Sequence, residues 1–294
     1  MSAHIEQPPA RPLLRRRRRR WRWSRTTPVR YALLLVVLLI SVGPLLWQFL
    51  SSLKGSGEAL FGRDATLFPQ SPTLDAYVTI FRQIPMDAYL TNSAIVCALT
   101  IASQVVLPTA AGYMLSRRGW RGRRVTFTVL IVSMVVPFES IMVSLFLMTQ
   151  ELGLLDTLVG AWLPGAVSAM NVLIMRAAFT AVPDEIEDAA FLDGASEWQR
   201  FTALFLPSSI GAMLVVVVNS FITAWDDFLW PLLVLRSESS FTVSLGLARL
   251  SASSFGFDPR VVMAGSIIAV VPVLVVFIVL QRWFHRGVAA GGVK

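Results

Sequence analysis

Long apolar runs alternate with short polar segments along this chain. Six stretches reach the roughly 17–25 mostly apolar residues that a helix needs to cross a bilayer. They lie at about 31–50, 90–115, 125–149, 157–175, 208–235 and 261–281. The first, second, fourth and sixth carry no charge, the third contains Glu139, and the fifth is interrupted by Asp226-Asp227. Prolines recur inside the runs, at Pro44, Pro108, Pro137, Pro164, Pro231 and Pro272. Membrane helices tolerate them because neighbouring helices re-satisfy the freed carbonyls. The pattern predicts an all-α polytopic membrane protein with six transmembrane helices.

Residues 183–207, PDEIEDAAFLDGASEWQRFTALFLP, break this pattern with six acidic groups and one basic group between two apolar runs. Such a segment has to project into water. Pro183 suits the first turn of a helix, where a missing N–H costs nothing. Asp184, Glu185 and Glu187 then sit at the positive end of the helix dipole. Ile186, Ala189 and Ala190 follow at i, i+3 and i+4, a narrow apolar stripe. Gly194 is placed to end the helix in a left-handed conformation. Ser196-Glu-Trp-Gln199 reads as a capping box that starts a second helix, and Leu206-Pro207 marks re-entry into the membrane. The plain reading is a connection between two spans. A capped helix–turn–helix with an apolar stripe points instead to a surface offered to a soluble partner.

Charge orients the chain. Of 26 basic residues, ten lie in residues 1–30, including Arg15 to Arg20; residues 31–294 are near neutral. With the N-terminus inside, the inner segments hold 20 Lys and Arg and the outer ones 6, which places both termini in the cytoplasm. Residues 183–207 are then cytoplasmic. Residues 1–30 are read as a basic, disordered tail anchoring the first span at the membrane surface, with anionic lipid as a secondary contact. A basic run of this kind also suits nucleic acid, but its place just before a span favours the anchor, and no nucleic-acid partner is expected. The run 31–50 exceeds a signal-peptide core and no small-residue cleavage site follows, so an uncleaved anchor is expected. Residues 31–294 form the six-span domain. Its longest outer segment, 51–89, is expected to lie as a cap on the outer surface, with a short amphipathic helix from Thr73.

Charged residues make up only 15% of the chain and mean hydropathy is +0.63, which excludes a soluble fold. Ionisable groups at membrane depth are costly and suggest function. Glu139, Asp226 and Asp227 qualify, together with the mid-span Asn219. Glu139 caps a proline-loosened helix or lines a pathway. Asp226 and Asp227 suit a pathway mouth, since carboxylates hydrogen-bond sugar hydroxyls well. Asn219 makes an interhelical hydrogen bond or faces the pathway. Trp225 and Trp230 stack on a sugar or form part of an interfacial belt. No catalytic constellation is present. The histidines are His4 and His285, the one cysteine is Cys97, and neither Lys54 nor Lys294 follows a glycine, as a phosphate-binding loop requires. No enzyme activity, cofactor or metal site is expected.

Residues 188–207 carry a closer resemblance. DAAFLDGASEWQRFTALFLP is similar to the EAA loop of binding-protein-dependent ABC importer permeases: EAA, three residues, Gly, nine residues, Ile, one residue, Leu-Pro. Ala189, Ala190, Gly194, Leu206 and Pro207 match in register, Asp188 replaces Glu, and Leu204 replaces Ile. Asn92-Ser93, GLLDT at 153–157, WDDFLWPLLVL at 225–235 and the ending QRWFHRGVAAGGVK extend the resemblance over about residues 30–294. The chain resembles the second permease subunit of carbohydrate-type importers of the maltose and glycerol-3-phosphate kind.

The resemblance implies the type I ABC importer permease fold and a bacterial inner or plasma membrane. It implies a homologous second permease, a homodimeric or heterodimeric ABC ATPase that hydrolyses the ATP, and an extracytoplasmic solute-binding protein. Glu187, Asp188, Ala189, Ala190, Gly194, Leu206 and Pro207 would couple to the ATPase, with Glu187 and Asp188 both open as the acid in contact. The solute would be a sugar or sugar-like molecule, with glycerol-3-phosphate or a glycerophosphodiester as the alternative. An ion-coupled secondary transporter is the rival of another class. It would leave the ordered loop unexplained, and such folds usually have more spans and internal repeats.

Overall fold

In the computed structural model, residues 27–117, 120–252 and 258–291 are described, and every regular element among them is a helix. The arginine-rich tail lies outside the described residues. In chain order the helices are α1 (Thr27–Ser52), α2 (Asp75–Gln83), α3 (Met86–Ser116), α4 (Arg123–Ser133), α5 (Phe138–Glu151), α6 (Leu158–Trp162) and α7 (Ala169–Thr180). They continue as α8 (Asp184–Leu192), α9 (Glu197–Arg200), a π turn at Phe201–Phe205, α10 (Leu206–Ser208), α11 (Ile210–Asp226), α12 (Leu229–Val234), α13 (Val243–Ala252) and α14 (Pro259–Gly291). The chain divides into two compact units, residues 1–46 and 47–294, with α1 running across the boundary. The packing described below belongs to the second unit.

Three continuous helices are long and apolar enough to cross a membrane: Pro28–Ser52, Met86–Ser116 and Pro259–Gln281. The third and fourth apolar runs, expected as single helices, are instead bent pairs, and a further bend falls at the start of the fifth. α4 meets α5 at 101°, the α6 segment meets α7 at 49°, and the segment Glu197–Ser208 meets α11 at 72°. Each bend has a local cause. Pro137 is extended (φ −61°, ψ 138°) and disfavours helix at the residue before it. Ser168 is extended between α6 and α7, and Ser209 leaves the helical region ahead of α11. The fifth run also stops early, because Asp227 is extended and the chain restarts as α12.

In lipid, apolar side chains gain little by exchanging lipid for another helix, so close backbone approach and polar contacts must hold a bundle together. α3 shows both. A Cβ at Gly112 would lie 2.8 Å from the Met175 Cβ and from the Arg176 nitrogen, so only glycine lets α3 and α7 approach this closely. Polar side chains then cross between α3, α7 and α11, as described below. Beside them Tyr113, Met175, Phe179, Phe205 and Val216 form a buried cluster. Its aromatic rings meet edge-on, with Tyr113 5.7 Å from Phe179 and 5.3 Å from Phe205, the arrangement that ring quadrupoles favour.

The segments between spans are built, not loose. In residues 51–74, Lys54 is 1% exposed and its ammonium donates to the carbonyls of Ala59 and Thr66. The Glu58 carboxylate accepts from the backbone of Gln70, Ser71 and Gly55 and from the Ser71 hydroxyl, and these bonds hold its pKa at about 2. α2 forms where the amphipathic pattern predicts, burying Ala76 and Ile80.

Asp156 ties a second knot. It adopts a left-handed backbone (φ 59°), which Asp tolerates better than most residues. Its carboxylate accepts from the Ser237 hydroxyl and from the Ser237 and Arg236 nitrogens, while its own N–H donates to Val234. Asn92 donates to the carbonyls of Ser239 and Phe241, and Ser93 accepts from the Val243 nitrogen. The Asn92-Ser93 and GLLDT motifs therefore grip one segment, residues 234–243. Hydrogen bonds from Ser237 lower the Asp156 pKa from 3.8 to about 2. A depressed carboxylate pKa adds stability above pH 3.8, and that stability is lost as pH falls toward about 2. Asp156→Asn is expected to lower the unfolding temperature at neutral pH, with the gap to wild type closing as pH falls through that window. A gap that is constant from pH 7 to pH 2 would refute the charged role.

Candidate functional site

The polar loop is an ordered arm. α8 ends in a Schellman motif: Ala195 N–H donates to Ala190 and Gly194 N–H to Phe191, both at 3.0 Å, with Gly194 at φ +81°. The capping box is complete, with Gln199 N–H donating to Ser196 Oγ at 3.3 Å and Ser196 N–H to Gln199 Oε1 at 2.8 Å. Pro183 is the residue before α8, extended, and not its first helical residue. Pro207 lacks the N–H that would close a bond to Ala203. The helix widens into the π turn just ahead of it, and π turns of this kind concentrate at functional sites.

The root of the arm is locked. The Arg117 guanidinium donates to Glu187 and to the Phe179 carbonyl, and lies 4.0 Å from the Phe205 ring centroid. Glu187 also pairs with Arg200 at 3.5 Å. These three side chains keep only 16%, 21% and 16% of their surface for Arg117, Glu187 and Arg200. They line a polar cleft of about 680 Å³ between the arm and the span ends. Glu187 is half-buried in this cleft, whereas Asp188 lines its rim and is exposed to solvent. Ala189 is exposed. Ala190 lines a groove between the two arms of the loop, with Ala195, Ala203 and Leu204. Leu206 is half-buried and Pro207 exposed beside the 72° bend. The most exposed apolar side chains of the arm are Phe191 (65%), Leu192 (84%) and Trp198 (70%). The helical-stripe reading missed them because they cluster across the turn, not along one helix.

A second feature lies in the bundle. A cavity of about 520 Å³ is walled by α3, α6, α7, α11 and the α11–α12 break. Its floor is a chain of amides: Asn219 donates to Asn171 at 3.1 Å, and Asn171 to Gln104 at 2.9 Å and to Ser220 at 3.3 Å. Gln104 completes the chain by donating to the Gly165 carbonyl and accepting from the Ser168 nitrogen. Thr100, Thr223 and Asp227 add polar groups, and no Lys or Arg lines the cavity.

Of the intramembrane candidates, Asn219, Asp227 and Trp230 line this cavity. Trp225 does not: it is 6% exposed, stacks on Phe221, and donates its indole N–H to Ala269. Asp226 is exposed outside the cavity. Glu139 is exposed in the first turn of α5, next to Pro137, and only its neighbour Phe138 reaches the cavity. Trp230 is 2% exposed and donates to Gly160. Gln104 and Asn171 were missed, although an amide within an apolar run is the signal that selected Asn219. Among the described residues no cluster of three or more His, Cys, Asp or Glu side chains could hold a metal ion.

Spanning helices, a polar cavity between them and a rigid projecting arm define a membrane transport subunit that works with other chains. Residues 104–290 match the family described as binding-protein-dependent transport system inner membrane component, and the chain belongs to that family. It is 31% identical over 276 residues to the arabinooligosaccharides transport system permease protein AraQ of Halalkalibacterium halodurans, covering 92% of this chain and 99% of the relative. It is 31% identical to the lactose transport system permease protein LacG of Rhizobium radiobacter, covering 90% and 96%. The inner membrane ABC transporter permease protein YcjP of Escherichia coli is 33% identical, covering 90% and 95%. In fold, the chain is similar to a crystal structure of a bacterial ABC transporter involved in import of the acidic polysaccharide alginate. The TM-score is 0.79 at 23% identity, covering 89% of this chain and 99% of that one. The chain is a permease subunit of a binding-protein-dependent ABC importer.

Proposed function

We propose that this permease carries a neutral sugar or oligosaccharide and is driven by a separate ATPase docked on the arm at residues 183–207. The observation that carries the reading is the arm itself. Its turn is fixed by two capping motifs, its root is clamped by Arg117, Glu187 and Arg200, and its tip presents Phe191, Leu192 and Trp198. A rigid lever of this kind suits transmission of motion from a soluble partner to α11 across the bend at Ser209. Asp188, beside the apolar tip, is the acid that this reading assigns to the ATPase contact. Ala189, Ala190, Gly194, Leu206 and Pro207 shape the docking face and the lever.

Six spans follow if each bent pair crosses the membrane once, and the Lys and Arg asymmetry favours both termini and the arm in the cytoplasm. Residues 31–294 are then the permease domain and residues 1–30 its basic tail. A second, homologous permease completes the pathway, and a solute-binding protein delivers solute outside. Gln104, Asn171, Asn219 and Asp227 face the solute on this reading. Amides, hydroxyls and one carboxylate suit polyhydroxyl solutes, whereas a phosphate would meet Asp227 with no cation to offset it. That favours a sugar over glycerol-3-phosphate, and the names of the relatives, arabinooligosaccharides and lactose, point the same way.

The test is purification from native membranes in mild detergent through an N-terminal tag, with mass spectrometry of what co-purifies. An ATPase with a phosphate-binding loop and a second permease are expected together. Recovery of this chain alone, under conditions that hold other importers intact, would overturn the reading of the arm as an ATPase docking site.

A further inference from the structure

A second basic site lies away from the amide cavity and shares only Arg123 with the cleft at the root of the arm. Trp120, Arg121, Arg123, Arg124, Phe127 and Arg176 enclose a cavity of about 420 Å³ where α3 ends and α4 begins. That size falls within the roughly 300–1,000 Å³ of ligand-sized clefts. Four guanidinium groups surround it, no carboxylate lines it, and among the described residues none of the four is ion-paired.

Two of the four are fixed by the fold. Arg123 Nε and Arg176 Nε both donate to the Leu115 carbonyl, at 2.9 and 3.3 Å, at the negative end of α3. Arg176 also stacks on Phe127 at 4.3 Å, and Trp120 donates its indole N–H to the Met114 carbonyl at 3.0 Å. These contacts hold the walls in place. Arg121 and Arg124 are exposed and make no hydrogen bond to the rest of the described chain, so their donors are free.

The local electrostatics lack an anion. α4 begins with Arg123 and Arg124 and has no acid in its first turn, so two cations sit at the positive end of its dipole. Topology alone requires only that bases be present on this side. It does not require four guanidinium groups around one cavity that no carboxylate lines. The surroundings specify what kind of anion. Val125, Val129 and Val132 lie exposed along α4 at i, i+4 and i+7, leading from the cavity along the apolar run. A ligand with a charged head and an apolar tail matches both features.

We infer that this cavity binds the phosphate headgroup of an anionic phospholipid, with its acyl chains along the Val125–Val129–Val132 face. Arginine forks pair with phosphate oxygens in a bidentate way, and basic pockets at the ends of spans are suited to such headgroups. Bound lipid would brace the α3–α4 junction against α7 through Arg176.

The test uses the full-length chain in its purified, delipidated complex. Dioctanoyl phosphatidylglycerol, dioctanoyl phosphatidylcholine and inorganic phosphate are titrated separately, and occupancy is read by native mass spectrometry. Phosphatidylglycerol is expected to bind saturably, phosphatidylcholine not to bind, and inorganic phosphate at equal concentration not to displace the lipid. Arg121→Gln with Arg124→Gln should weaken phosphatidylglycerol binding about 25-fold, at about fivefold per arginine near an anionic surface. Arg121→Lys with Arg124→Lys keeps the charge but not the forks and should bind more tightly than the glutamine pair and less tightly than wild type, which separates loss of the site from loss of the fold. Equal binding of the two lipids, or an unchanged affinity in the glutamine pair, would overturn the site. Displacement by inorganic phosphate at equal concentration would overturn the lipid and leave a free-anion site.

Discussion

Gly194→Val is expected to reach the membrane at the wild-type level and to lose most solute uptake. Gly194 sits at φ +81°, the left-handed region that a β-branched residue avoids. A Cβ at this position would meet no heavy atom within 4 Å, so the strain of the substitution lies first in the backbone. Left-handed backbone costs an L-residue about 1–2 kcal/mol, and a branched side chain more. The Schellman bonds from Gly194 and Ala195 hold the α8 end in place, and relief of the strain would break them. The tip residues Phe191, Leu192 and Trp198 flank that turn and would shift with it, while the spans lie far enough along the chain to fold as before.

A graded series makes the cause visible. Asparagine accepts left-handed backbone more readily, so Gly194→Asn should keep most uptake, with Gly194→Ala between the two. Uptake and membrane level are measured in the same cells. Normal uptake by the valine variant would remove the role assigned to the turn. Equal losses in all three variants would point to the size of residue 194 at the partner surface and not to its backbone.

What the sequence makes legible here is local. The turn at Gly194 and the box at Ser196 and Gln199 announce themselves because their bonds span five residues or fewer. The apolar runs are legible because lipid imposes a length. The bends are less so. Pro137 is visible, but the 101° angle between α4 and α5 depends on what those helices pack against. Trp225 reads equally well as an interfacial or a pathway residue, and only tertiary packing brings Ala269 to its indole N–H. The amide chain needs three separate helices to bring Gln104, Asn171 and Asn219 together. Arg117 and Glu187 are 70 positions apart, and nothing local in either segment predicts their pairing.

That pairing separates two neighbouring acids that the sequence leaves equivalent. Glu187→Ala is expected to destabilise the protein by about 2–3 kcal/mol, somewhat below the range for breaking a fully buried ion pair because all three groups keep some water. The loss takes from the Arg117 and Arg200 guanidiniums the carboxylate that both pair with, and the Arg200 Nε already has no hydrogen-bond partner. Asp188→Ala, one residue away, should unfold at the wild-type temperature, because its side chain is solvated. Its effect should fall on uptake and on recovery of the ATPase. A double variant sharpens the contrast. Arg117→Met with Glu187→Leu removes both charges from the clamp and keeps apolar bulk beside Phe205, so it should recover part of the stability lost in Glu187→Ala. Thermal unfolding in one detergent gives all three values, and co-purification gives the partner contact. If Glu187→Ala unfolds like wild type but loses the ATPase, Glu187 is the contact acid and the inward clamp is not what holds the arm. If Asp188→Ala changes neither stability nor recovery, the docking contact rests on the apolar tip, and Trp198→Ala becomes the variant that decides it.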